Sequence, residues 1–157
     1  MAGTLKVKII EDIILDNQDY SSKRVFEVSS IANITKKIVT IASGDDATVL
    51  VFKSTTASAD GALDLQNVKY IRITNLDSSN SVNVSLQLDS GEDNSAADLS
   101  ITHLVEAGRS FLMGTPDEGT HADDDSATIV TALTDLESII VDPGANSGQV
   151  EVFVAST

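Results

Sequence analysis

The chain of 157 residues has the length of one domain, carries ten lysines and arginines against 24 aspartates and glutamates, and contains no cysteine. The missing cysteines exclude thiol catalysis, thiolate metal sites and disulfide staples, and a net charge of −14 argues against direct binding of nucleic acid, whose phosphates require clustered cations. No stretch approaches the ~20 apolar residues of a membrane-spanning helix, and the N-terminus, with no apolar run after Lys6 and Lys8, does not read as a secretory signal.

Along the chain, apolar residues recur with a period of two. Leu5, Val7 and Ile9 alternate with Lys6 and Lys8, and a short strand follows around Val25–Val28. Further strands are expected over 36–42 and 48–53, at Ile71 and Ile73, and at Val82, Val84, Leu86 and Leu88. Four more fall at 99–105, 109–113, 137–142 and 149–155. Such alternation marks half-buried strands, one face on a core and one in solvent. Between the runs stand turn-forming clusters such as Gly44-Asp45-Asp46, Asp60-Gly61, Asn75 to Ser81, Ser90-Gly91 and Pro143-Gly144. About nine or ten short strands at this spacing predict an all-β, single-domain antiparallel β-sandwich over residues 1–157, a jelly roll being one arrangement of that kind. Residues 1–15 are expected to serve as a docking strand or arm. Asp123 to Ser126 offers a helix cap, with Ile129, Leu133 and Leu136 at helical spacing, but the β-branched run Thr128 to Thr131 opposes a helix, and the segment is read as a loop.

Three strands carry apolar residues on both faces: Ile38, Val39 and Ile41; Val49 to Phe52; and Ile139 to Val141. Either they are central strands covered on both sides, or a second subunit covers one face. Leu50 and Phe52 are the residues expected near an oligomer contact.

Catalytic constellations are sparse. His103 and His121 lie on unrelated segments and fit no zinc spacing. The nearest approach to a nucleophile elbow, Gly108-Arg109-Ser110-Phe111-Leu112, lacks the second glycine. Two acidic groups, one of Asp117, Glu118, His121 and Asp123 to Asp125, the other of Asp89, Glu92, Asp93 and Asn94, offer oxygen ligands without the pattern of a calcium loop. The reading is of a non-enzyme with no cofactor and no metal. Charge is divided along the chain: residues 1–72 hold nine cations and nine acids, and residues 73–157 hold fifteen acids against Arg109 alone.

The phrase Val68 to Val82, with Tyr70-Ile71-Arg72-Ile73-Thr74-Asn75 leading into Asp77-Ser78-Ser79-Asn80, resembles a strand-turn-strand phrase of small virion structural proteins of tailed bacteriophages. Leu104 to Leu112 resembles their Ala-Gly and Ser-Phe-Leu step, and Gly148 to Thr157 their closing strand. The resemblance implies no catalytic residues. It implies a capsid decoration, or cement, protein, made in the host cytoplasm and bound to the outside of an icosahedral shell as a homotrimer, with the major capsid protein as partner and neither nucleic acid nor membrane. On that reading Lys6 and Lys8 are expected to dock on the capsid while the acidic half faces water. A tail or neck component and a carbohydrate-binding or host-surface adhesion module are the alternatives; the latter lacks the aromatic platforms that sugars favour, since the chain has no Trp.

Overall fold

The structure is a computed structural model that describes residues 2–53, 61–88, 99–122 and 133–157. Among these residues, thirteen strands and two short 3-10 turns, Leu65–Asn67 and Pro116–Glu118, make up the regular elements. The first four strands stand apart from the body: β1 (Gly3–Glu11), β2 (Ile14–Leu15), β3 (Gln18–Asp19) and β4 (Ser22–Ile31). The body contains β5 (Asn33–Ile41), β6 (Ala47–Lys53), β7 (Leu63–Asp64), β8 (Val68–Asn75), β9 (Val82–Leu88), β10 (Leu99–Val105), β11 (Ser110–Met113), β12 (Leu136–Asp142) and β13 (Gly148–Ser156).

Period two explains most of these strands. In β9 the side chains of Val82, Val84, Leu86 and Leu88 are buried, and Asn83, Ser85 and Gln87 between them are half-exposed, as the pleat of a strand with one wet face requires. The turn before it is held by its own side chains: Asp77 Oδ1 accepts the amides of Ser79 and Asn80 at 2.7 and 2.8 Å. These bonds hold the Asp77 carboxyl below the ordinary carboxylate range, the Asn80 amide having the largest effect.

The body is a β-sandwich. One sheet has the order β11-β8-β13-β5 and the other β10-β9-β12-β6-β7. All pairings within them are antiparallel except the short β6–β7 contact. When β7 is set aside, successive strands from β5 to β13 cross from one sheet to the other at every step but the β9–β10 hairpin. This order is the double Greek key of a jelly roll. Its core lies between the sheets and includes Ile71, Ile73, Val84, Leu88, Leu136, Ile139, Val150 and Val152, all essentially inaccessible.

The apolar run of β6 has an intramolecular explanation. Leu50 and Phe52, expected near an oligomer contact, are 4% and 3% exposed and belong to the chain's own core, which accounts for the run without a second subunit. The register jumps between Ile139, opposite Leu50, and Ile140, opposite Thr48. Val49 is therefore an extra residue on β6, a β-bulge that re-aims neighbouring side chains, and Val49 and Leu50 are both buried. Of the three runs read as two-faced, β5 is the one that leaves apolar side chains out: Ile34 and Ile38 are more than half exposed on this edge strand. Of the segment 123–140, residues 123–132 lie outside the described ones, and Leu136–Asp142 is strand.

Candidate docking surface

The N-terminal strands form a single long ribbon. Leu5 opposite Val28, Glu11 opposite Ser22 and Leu15 opposite Gln18 share one unbroken antiparallel register. The gap between β1 and β2 is bridged by the Tyr20 amide, which donates to the Ile13 carbonyl at 3.0 Å. Asp16 and Asn17 close the ribbon with φ of 50° and 62°, the left-handed pair of a two-residue type I′ hairpin. At ~3.3 Å per residue, Leu5 to Leu15 spans about 33 Å.

The ribbon's base rests on the outer face of the four-stranded sheet. Leu5, Val7 and Val28 pack on Tyr70, Ala155, Ile31 and Phe153 in a second small core. Phe153 meets Tyr70 edge-on at 6.1 Å, and the Arg72 guanidinium lies over the Phe153 ring at 5.6 Å. Burial raises the Tyr70 hydroxyl above its ordinary pKa. Arg72 and Lys36 both bind Glu151, Lys36 Nζ at 3.0 Å. The Lys36 hydrogen bond, with both cations' charge, holds the Glu151 carboxyl below its usual pKa.

Beyond that base the ribbon's side chains are not covered by any described residue. Residues 8–21 are exposed without exception, including Ile9, Ile10, Ile13, Ile14, Leu15 and Tyr20, with Ile14 76% exposed. By register, Leu5, Val7, Ile9, Ile13 and Leu15 share one side with Tyr20, Phe26 and Val28. The side that packs at the base thus continues uncovered to the tip. A two-stranded hairpin without a supporting layer is at best marginally stable in water, and contiguous exposed apolar surface marks an interaction site.

A groove of about 550 Å³ runs beside this ribbon. Every residue from Leu5 to Ile10 lines it. Six consecutive strand residues do so only where the groove follows a strand's edge, and among the described residues β1 pairs with β4 alone, so this edge of β1 has no partner strand among them. Its opposite side is made by Tyr70, Arg72, Leu112, Phe153 and Lys36. On the outer face of the five-stranded sheet, Asn83, Ser85, Gln87, Thr102, Ile140 and Asp142 line a separate depression.

The lysines expected to dock on a capsid, Lys6 and Lys8, both lie on β1 beside the groove. Lys6 Nζ is paired with Glu27 Oε1 across the ribbon at 2.6 Å; Lys8 has no ion pair among the described residues. The tip residues Ile13, Ile14, Leu15 and Tyr20 escaped the reading of strand periods. The available signal was Asp16-Asn17, a turn pair flanked by apolar residues on one side and Tyr20 on the other.

The residues considered for chemistry are dispersed. His103 stacks near Phe111, ring centroids 5.2 Å apart, and Ser110 Oγ shares a 2.9 Å hydrogen bond with Thr74 Oγ1. Asp117 is paired with Lys69. Among the described residues, no three His, Asp or Glu side chains gather as a metal site. Asp89, Glu92, Asp93, Asn94 and Asp123 to Asp125 lie outside the described residues.

No family model and no curated protein matches the chain. A solved structure titled "Bacillus endospore appendages form a novel family of disulfide-linked pili" is similar over 79% of this chain and 88% of that one. The identity is 12% and the TM-score 0.38, a likeness too slight to support a functional argument. These 157 residues contain no cysteine and cannot themselves make a disulfide link.

Proposed function

We propose that this chain is a non-enzymatic structural protein whose ribbon joins it to neighbouring subunits, and that its assembly is a tailed-phage virion, which it serves as a capsid decoration protein. The observation that carries the structural role is the ribbon itself: a jelly-roll body with its own core extends about 23 Å of exposed, largely apolar hairpin from Lys8 to Leu15. Keeping such surface in water is unfavourable at roughly 25 cal/mol per Å², so a partner that covers it gains binding free energy without rearranging the body. The virion reading rests on the resemblance of Val68–Val82, Leu104–Leu112 and Gly148–Thr157 to tailed-phage structural proteins. In the fold these phrases form β8 with its following turn, the approach to β11 with β11 itself, and β13, and β8, β11 and β13 are neighbours in one sheet.

The test is to add the purified protein to phage heads that lack a decoration protein and to image the particles by electron cryomicroscopy. Ordered density on the outside of the shell is the expected result. Density on the tail or neck would move the protein within the virion, and the absence of any bound density would overturn the virion reading.

A further inference from the structure

We infer that the ribbon tip of one copy, Ile13 to Tyr20, seats in the groove beside β1 of a second copy, so that the chain assembles head to tail. The proposal rests on the reading of the ribbon as an assembly element and is independent of where in a virion the assembly sits. Three observations support this occupant over others.

The first is charge. Residues 11–21 carry Glu11, Asp12, Asp16 and Asp19 and no cation. Among the described residues, the groove is lined by Lys6, Lys8, Lys36 and Arg72 and by no carboxylate. Glu27 and Glu151 stand beside it and pair with three of those cations, which leaves the groove net positive with Lys8 as its uncommitted charge. The chain as a whole is at −14, so a net-positive groove attracts an acidic segment of a second copy, and the tip is an acidic segment that brings exposed apolar side chains with it.

The second is shape and polarity. The tip presents Ile13, Ile14, Leu15 and Tyr20, and the groove presents the exposed Leu112 and the half-buried Phe153, with the largely buried Tyr70 behind them. The backbone edge of β1, without a partner strand among the described residues, forms one side, ready to accept an added strand, so main-chain hydrogen bonds can supplement the apolar contact.

The third is reach. The groove follows β1 from Leu5 to Ile10 and the tip begins at Ile13, and the continuous register from Leu5 to Leu15 carries the tip onward, away from the groove. A paired ladder cannot fold its tip back onto its own base, so the complementary surfaces can meet only between copies. Such a contact is heterologous: it closes into a cyclic ring when the rotation between copies divides a full turn, and otherwise grows into a filament.

The experiment is sedimentation velocity on the full chain over a range from micromolar to millimolar concentration, alongside two single variants. Wild type is expected to self-associate. Leu15→Asp at the tip and Lys8→Glu in the groove should each weaken association by about tenfold or more, since each places a charge where it is desolvated or repelled. Both sites are exposed, and an unchanged thermal melt establishes that the body is folded. Should Leu15→Asp disturb the ribbon, Asp12→Lys reverses charge at the tip, and the double variant Lys8→Glu with Asp12→Lys should recover association. An equimolar mixture of Leu15→Asp and Lys8→Glu chains has one good tip and one good groove per pair, so it should form a species of two chains and nothing larger. A wild type that stays monomeric throughout, variants that associate as wild type does, or a mixture that stays monomeric would each overturn the proposal. A monomer that still decorates heads would overturn it while leaving the virion reading in place.

Discussion

The ring of Phe26, on the returning strand of the ribbon, and that of Tyr70, on β8 of the body, lie 6.4 Å apart at 56°, and this contact joins Leu5, Val7 and Val28 in holding the hairpin to the sandwich. Phe26→Ala should cost about 1–2 kcal/mol of apolar burial, and the loss should be local. Hydrogen exchange read by mass spectrometry is expected to show faster exchange across β1 and β4, with β9 and β13 as protected as before. A uniform rise in exchange would mean that ribbon and body unfold as one unit.

Asn75 is fully buried. Its Nδ2 donates to the carbonyls of Asn80 and Val105 at 2.8 and 3.1 Å, and its Oδ1 accepts the Asp77 amide at 3.0 Å. Asn75→Ala removes three bonds at once and leaves buried backbone groups without partners, which should destabilise the body by about 2–4 kcal/mol. Denaturant titration is the measurement. A change under ~1 kcal/mol would show that water replaces the side chain.

Leu50→Ala should cost about 2–5 kcal/mol, the range for deleting a buried leucine, and should leave the association of the folded fraction as in wild type. Phe52→Asp should unfold the chain outright, since it buries a charge in the core. A Phe52→Asp chain that folds normally but fails to assemble would return β6 to the status of an interface.

Acid should loosen the outer face of the four-stranded sheet. The Glu151 carboxyl is depressed by the Lys36 hydrogen bond and the nearby Arg72 and Lys36 charges, and a depressed carboxylate contributes stability that is present above its unfolded pKa and lost as pH falls through the folded one. Thermal melts should therefore drop as pH is lowered beneath the ordinary glutamate value of 4.5. In Glu151→Gln the drop over that window should be smaller, because one of the responsible groups is gone. An identical pH profile in the two proteins would exclude Glu151 as a contributor.

The local pattern of the chain determined its strands. Val82–Leu88 is strand over the residues where apolar and polar side chains alternate, and the expected runs 48–53 and 99–105 correspond to Ala47–Lys53 and Leu99–Val105. Side chains on successive strand residues point to opposite faces whatever the rest of the fold does, so this information is carried by neighbours in sequence. The all-β sandwich follows from the number and spacing of such runs. Leu50 and Phe52 show where that reading stops: contiguous apolar residues look alike whether a bulge turns them into one core or a partner covers one face. The pairing that reveals the bulge lies between β6 and β12, nearly ninety positions apart. The ribbon and its groove were hidden for the same reason. Only the fold brings Tyr70, Arg72 and Phe153 beneath Leu5 and Val7, and only the packing of that base leaves Ile13, Ile14 and Leu15 exposed, because burial depends on which distant surfaces meet.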